Sequence, residues 1–299
     1  MAQKMIVDGS GILYRCFFGM PALTDYNGDD TRVLFGTTKI ILSLLTQNPE
    51  TILIARDEKG PTIRHQEFDQ YKATRPKIDP DLARQISSTK QLLAELGVPS
   101  CSQVGYEADD IIATYIATVR DHQSVTIVSA DKDLKQLLAP HVSWQDPFNA
   151  KKLTDRDFLS EYGFKPVYFC DYLSLIGDVS DNIPGVAGIG PKTARSLIQT
   201  YETIENLYAH IDQIGGSIKT KLETNRDNAF LSKRLVTLRF VPDFDPEVAR
   251  VTEWFDSDQW IRVLSQYGFV SLLDRVKKIQ TSVEKQSTIS GGSGGLFDI

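Results

Sequence analysis

The sequence predicts an α/β protein: a mostly parallel sheet covered by helices, followed by a helical domain. Three observations carry this. Short apolar runs at Met5-Ile6-Val7, Thr51–Ala55 and Val125-Thr126-Ile127-Val128-Ser129 alternate with longer segments of helical spacing. Acids follow each run: Asp8 after the first, Asp57 after Arg56, and Asp131 with Asp133 after the third. From about Lys165 the strand signal stops and helical patterns dominate.

Each element has its own reason. Residues 33–45 place apolar side chains at helical spacing. Residues 81–96 read as a helix, with Pro80 at its start and Gly97 at its end. Residues 107–119 form a third, opened by acids that suit a helix N-terminus. This βαβ rhythm implies the parallel sheet. Beyond it, segments near 167–176, 192–200, 204–209, 218–222 and 229–238 are expected to be helical. Residues 254–276 add one or two helices that pack back on the body. The expected organisation is an α/β core over 1–164, a helical domain over 165–279 and a Ser/Gly-rich flexible tail over 280–299.

The composition, 41% hydrophobic and 24% charged over 299 residues, is that of a soluble globular chain with a real core. No apolar stretch is long enough to span a bilayer, and the first residues lack the pattern of a signal peptide, so a cytoplasmic location is expected. Cys16, Cys101 and Cys170 are odd in number and far apart, which excludes a disulfide framework and a cysteine zinc site. The four histidines show no metal-ligand pairing. The net charge of −6 argues against a polyanionic partner only until its distribution is considered. Nine acids assigned below to one site contribute −9, leaving +3 on the rest of the chain.

Those acids are the most informative feature. In open α/β sheets, ligands bind outside the carboxyl ends of the strands. Any one Asp there is an ordinary turn former or helix cap; three strands delivering Asp to one edge are not. Two denser groups add to them. Glu107-Ala108-Asp109-Asp110 opens a helix, with Glu107 and Asp110 sharing a face and Asp109 off it unless the start is irregular. Asp178 and Asp181 stand three apart before Ile183-Pro184-Gly185. Converging carboxylates repel one another unless cations join them. Hard cations such as Mg2+ and Mn2+ choose oxygen ligands. Pairs of them about 4 Å apart serve phosphodiester hydrolysis.

The second signal is Gly185-Val186-Ala187-Gly188-Ile189-Gly190-Pro191-Lys192-Thr193. Three closely spaced glycines and a helix start at Pro191 make a helix-hairpin-helix, whose backbone amides grip phosphates without reading bases. It is no P-loop, because no Gly-Lys-Ser/Thr closes it at the required spacing. Arg64, Tyr71, Lys72, Arg75 and Lys77 form a basic and aromatic arm suited to a single strand.

Together, in this order, the motifs resemble the bacterial 5′-to-3′ exonuclease and flap endonuclease family, and most nearly the amino-terminal 5′-nuclease domain of DNA polymerase I. The segments that carry the likeness are Val7-Asp8-Gly9-Ser10 with Leu13-Tyr14-Arg15, Asp57-Glu58-Lys59-Gly60, Arg64 with the run from Tyr71 to Pro76, Gly105 to Asp110, Ala130-Asp131-Lys132-Asp133, Gly177 to Gly185, and the hairpin. They span about residues 5–239. The resemblance implies a PIN-like core with a helical arch near 71–96, then a helical domain carrying the hairpin. It implies two metal sites holding two, or three, Mg2+ or Mn2+ ions. Asp8, Asp57, Glu107 and Asp109 form the first set, Asp131, Asp133, Asp178 and Asp181 the second, with Asp110 between them. Asp8, Asp110 and Lys72 are the implied catalytic residues, with Lys72 stabilising charge on the attacked phosphate. Arg64, Tyr71 and Arg75 are implied to steer the 5′ strand. Gly185, Val186, Gly188, Ile189, Gly190, Lys192 and Thr193 are implied to hold duplex DNA together with a K+ ion. Arg56 and Ala130 depart from the family pattern, which has an apolar aromatic residue and a glycine there. A stand-alone nuclease and an excised domain both remain open.

The expected activity is cleavage of DNA near a single-strand/duplex junction, leaving a 5′-phosphate and a 3′-hydroxyl, in removal of flaps or RNA primers during replication and repair. A monomer is expected. The ending Leu296-Phe297-Asp298-Ile299 resembles a sliding-clamp-binding peptide, with a plain tail as the alternative. Three rivals are a non-cutting DNA-binding protein, a phosphatase with Asp8 as nucleophile, and a PIN-type ribonuclease toxin. Both acid sets argue against the first. Ser10 in place of a second Asp argues against the phosphatase, and chain length and the hairpin argue against the toxin.

Overall fold

The computed structural model describes residues 3–119, 123–244 and 248–291. The chain runs β1 (Gln3–Asp8), α1 (Gly9–Gly19), α2 (Arg32–Leu45), β2 (Thr51–Ala55), α3 (Ile63–Glu67), α4 (Pro80–Glu95), β3 (Ser100–Cys101), α5 (Ala108–Thr118), β4 (Ser124–Val128), β5 (Val142–Gln145) and β6 (Lys152–Leu153). Then come α6 (Asp155–Tyr162), α7 (Phe169–Ile176), α8 (Pro191–Tyr201), α9 (Ile204–Ala209), α10 (Gly216–Thr224), α11 (Arg226–Val236), α12 (Val251–Trp254), α13 (Ser257–Gln266) and α14 (Val270–Gly291).

The sheet order is β3-β2-β1-β4-β5-β6, parallel except for β6. The chain builds outward from β1 in one direction, then restarts at β4 on its other side. The β1/β4 boundary is therefore the topological switch point, where such sheets open a crevice for ligands. Asp8 ends β1 on one side of it, and Ser129 follows β4 on the other.

The central strands are buried on both faces, so they read as continuous apolar runs rather than alternations. One face packs against α1, α2, α4 and the last three helices through Val7, Leu42, Ile54, Leu92, Trp260 and Val276. The other packs against α5 and continues without a break into the helical domain through Ile6, Ile127, Phe158, Leu173, Ile198 and Leu235.

Several expectations need correction. Helix α1, strands β5 and β6, and helix α6 were not anticipated. The segment read as the start of an arch is irregular through residue 79, and α4 is not free-standing. It buries Leu82, Gln85, Thr89, Leu92 and Leu93 against the body. Residues 251–283 pack on the sheet's first face, apart from the hairpin helices with which they had been grouped. Helix α14 runs through Gly291, so part of the segment read as a tail is helical. Leu272, Val276, Ile279 and Val283 give it a buried stripe at helical spacing. Leu296 and Phe297 lie outside the described residues. The three cysteines are free thiols. No described helix is long and apolar enough to cross a membrane.

Candidate active site

Asp8 forms the floor of the site. It caps α1, accepting from the Gly11 N–H at 2.8 Å, and its second oxygen accepts from the Ser129 hydroxyl at 2.7 Å. A side chain at residue 11 would collide with that carboxylate, since a Cβ there would lie 2.2 Å from it. Ser129 Oγ also accepts from the Asp131 N–H at 2.8 Å, so one hydroxyl ties the acids of β1 and β4 across the switch point. Sequence reading missed Ser129; the small polar residue between the apolar run and Asp131 was its only signal. Asp57 is anchored from both sides: its N–H donates to Ser10 Oγ, and its carboxylate accepts from the Ala108 N–H at 2.7 Å.

The irregular helix start that Asp109 required is present. Glu107 is the extended cap residue of α5 and shares a capping box with Asp110. Asp109, two positions into the helix, faces the recess with Asp8, while Asp110 turns inward. Asp8, Asp57, Asp79, Glu107, Asp109, Asp131 and Asp181 line one recess of about 610 Å3, together with Lys72, Arg75 and Lys77 and with Tyr14, Phe18 and Ile78. Asp133 and Asp178 stand outside that lining. Asp178 is 3.4 Å from Lys132 and accepts from the Ser180 amide and hydroxyl.

Burial sets two of the expected site residues apart from the recess lining. Asp110 is saturated: its two oxygens take Arg64 Nη1 at 2.7 Å, Arg64 Nη2 at 2.8 Å, and the N–H groups of Glu107 and Arg239. Arg64 is 2% exposed and gives its remaining donors to Glu107 and to the carbonyls of Leu235 and Thr237. It clamps α5 to the end of α11. Tyr71 is likewise buried, its hydroxyl donating to Glu107 at 3.0 Å, so it braces the site from beneath.

Lys72 and Arg75 remain at the recess. Lys72 Nζ lies 2.7 Å from Glu107 Oε1 and 3.9 Å from Asp181, on a backbone held at φ 56°, a left-handed conformation costly for a lysine. Its N–H donates to the Asp181 carbonyl, and Asn182 donates to the Gln70 carbonyl, so the two loops are laced together. Half-exposed Arg75 pairs with Asp181.

The electrostatics are those of crowded acids. Burial pushes Asp8 up to about 6 against the hydrogen bonds from Gly11 and Ser129, with the charges of Asp131 and Asp57 adding. Asp109 is held well above the usual carboxylate range by burial and then by Asp131, Asp8, Asp57 and Glu107. Asp133 is pushed up to about 7 by burial and by Asp131. Burial would raise Asp178 too, but its bonds from Ser180 and the Lys132 charge hold it below the usual range.

Among the described residues, no three such side chains approach closely enough to form a ready-made metal shell. Backbone amides and cations hold them apart. The donors nonetheless suit a hard cation: all are oxygens. One of them, Asp133 Oδ1, is buried without any hydrogen-bond partner.

These shifts predict a measurable linkage. An acid raised in the folded state keeps its proton there more tightly than when unfolded. Each such acid therefore destabilises the fold increasingly as pH climbs from the unfolded value through the folded one. With Asp8 near 6 and Asp133 near 7, the chelated protein should melt several degrees lower at about pH 8 than at about pH 5.5. Mg2+ should raise the melting temperature more at the higher pH. An equal Mg2+ effect at both values would mean that these acids do not share the cation.

The hairpin sits on the helical domain. Gly185 (φ 61°) and Gly177 (φ 69°) touch back to back, a Cβ on Gly185 falling 2.5 Å from the Gly177 nitrogen. Val186 and Ile189 have buried side chains, so it is their backbone that is available to a ligand. Gly188, Gly190 and Lys192 are exposed, and the Gly188 carbonyl accepts from Lys221 Nζ at 3.1 Å.

A parallel sheet with acids at its carboxyl edge, joined to a helical domain with a glycine hairpin, defines a PIN-like nuclease fold with a SAM-type helical domain. The family description "5′-3′ exonuclease, N-terminal resolvase-like domain" matches residues 3–163, and "5′-3′ exonuclease, C-terminal SAM fold" matches residues 164–254. The chain belongs to the 5′-3′ exonuclease family. It is 35% identical over 286 residues to DNA polymerase I of Caldicellulosiruptor bescii, a match covering 92% of this chain and 33% of that protein. The chain thus spans about a third of the length of the curated relatives it matches. Zinc-bound bacteriophage T5 5′-exonuclease superposes with a TM-score of 0.65 at 23% identity, covering 95% of this chain and 98% of that one. Flap endonuclease-1 from Methanococcus jannaschii gives 0.62 at 16%, covering 95% and 93%.

Proposed function

We propose that the recess is the cutting site of a structure-specific 5′-nuclease that hydrolyses DNA at 5′ ends and 5′ flaps. The observation that carries this is one recess in which the acids Asp8, Asp57, Glu107, Asp109, Asp131 and Asp181 converge with Lys72 and Arg75. Asp8, Asp57, Glu107 and Asp109 would hold one divalent cation, and Asp131, Asp133, Asp178 and Asp181 a second, Mg2+ or Mn2+ by their all-oxygen donor set. When bound, such ions neutralise the acids and polarise the attacked phosphodiester.

The chain's own residues do the rest. Lys72, held at the recess by Glu107, attracts the phosphate and offsets charge developing on it. Half-exposed Arg75 and exposed Lys77 draw the 5′ strand across the mouth. The amides at Gly190 and Lys192 and the N-terminus of α8 grip duplex phosphates away from the cut. The hairpin carbonyls are donors suited to K+, although Gly188's already accepts from Lys221 and Val186's from the Ile189 N–H. DNA is the partner in the metal-containing product complex of the T5 flap endonuclease, which has the same fold. RNA primers on DNA fit the same chemistry.

A labelled 5′-flap DNA tests the reading, with Mg2+ or excess chelator and wild type beside Asp178→Ala. Cutting at the junction should require Mg2+ and fall at least about tenfold in the variant. Tight flap binding without cutting in either Mg2+ or Mn2+ would instead make the chain a DNA-binding protein.

A further inference from the structure

A second cluster of charge lies outside the recess. The Tyr162 ring carries two cations: Arg195 Cζ is 5.2 Å from its centroid and Lys135 Nζ is 5.9 Å. Lys135 also stands 5.3 Å over the Trp144 ring. Neither cation has an ion pair among the described residues, and Arg195 Nε is buried without a hydrogen-bond partner. Lys132 and Lys151 add positive charge nearby, and the acids Glu161 and Asp133 answer Lys135 from beyond ion-pair distance. Tyr162 itself is fixed, stacked on Phe158 at 4.4 Å and edged by Phe164, Phe169 and Tyr172. Two like charges held on one rigid ring, neither answered by an ion pair among the described residues, make a site suited to an anion.

Its place in the fold names the anion. Lys135 lies on the short 3-10 helix Asp133–Leu137, directly after the acids of β4. Arg195 lies on α8, the helix that the hairpin starts, three residues beyond exposed Lys192 and so on the same face. The pair therefore stands between the hairpin and the cutting recess. We propose that Lys135 and Arg195 form a phosphate-binding site that seats one backbone phosphodiester of duplex DNA between hairpin and recess, fixing the distance from the gripped duplex to the cut. This rests on the nuclease reading above.

The test is flap-DNA affinity in chelator, by fluorescence anisotropy across about 50–200 mM salt. Wild type is compared with Lys135→Gln, Arg195→Gln, the double variant and Lys135→Arg. Loss of one phosphate contact should flatten the slope of log affinity against log salt by about 0.9 and weaken binding several-fold at moderate salt. The melting temperature should be kept, and Lys135→Arg should restore the slope. Single-turnover cleavage by the double variant should spread over neighbouring phosphodiesters. A double variant with the wild-type slope overturns the site, as does weakened binding at unchanged slope. If Lys135→Gln melts early because its stem packs on Trp144, half-buried Arg195→Gln decides alone. Wild type that binds and cuts beside indistinguishable variants sinks only this site, whereas wild type that does neither sinks the nuclease reading.

Discussion

Asp8→Asn should reduce flap cleavage in Mg2+ by roughly a thousandfold while leaving flap binding in chelator within about twofold. The argument is geometric. Asp8 is 4% exposed, lies at the switch point between β1 and β4, and is the acid whose charge reaches both Asp109 and Asp131. Asparagine keeps the shape and the bond from the Gly11 N–H, so the cap of α1 survives; alanine would remove it, at about 1 kcal/mol. What asparagine loses is the negative charge and the second oxygen that accepts from the Ser129 hydroxyl. Because that charge is disfavoured in the metal-free fold, the variant should melt at or above wild type in chelator and gain less from Mg2+. Rate and melting response thus separate a lost cation site from a damaged fold. Cleavage within tenfold of wild type, with an undiminished Mg2+ response, would remove Asp8 from the site.

Most of what positions the recess was legible because it is local. A run of four or five apolar residues with acids just after it specifies both a buried strand and the edge on which its acids fall, as at Asp8, Asp57 and Asp131. The hairpin was equally local, since positive φ at Gly185 and Gly188 requires what glycine supplies. The misses are non-local. Helix α1 carries Gly9, Gly11 and Gly19, each lowering helix propensity, and it forms because Asp8 caps it and Gly36 of α2 packs closely on Cys16 and Met20. Strands β5 and β6 are short, and their pairing with β4 and with each other, not their composition, makes them strands. In α14 the Ser and Thr content hid a regular apolar stripe. Arg64 is the sharpest case. Its neighbours in sequence suggest an exposed basic arm, and its partners are Glu107, Asp110, Leu235 and Thr237, which no local pattern could bring to it.

That case yields the other large effect. Arg64→Ala should destabilise the protein by about 3–5 kcal/mol, lowering the melting temperature by on the order of 10 °C. Removing the guanidinium strands the Asp110 carboxylate, 1% exposed, with only two backbone N–H groups to answer its charge. Breaking a buried pair from one side is costly for that reason. It also frees the carbonyls of Leu235 and Thr237, undoing the join between α5 and the end of α11, and loosens Glu107, which orients Lys72 and Tyr71. Arg64→Lys should recover only part of the loss, because an ammonium cannot repeat the two-pronged contact with Asp110 while reaching the Leu235 carbonyl. Cleavage by either variant should fall together with stability and be partly restored at lower temperature. The alternative, Arg64 as a gateway for the 5′ strand, makes the opposite forecast: an unchanged melting temperature and a selective loss of affinity for flaps with free 5′ ends. A thermal melt of Arg64→Ala beside flap and plain-duplex affinities decides between them, since a buried clamp weakens both substrates alike and a gateway weakens only one.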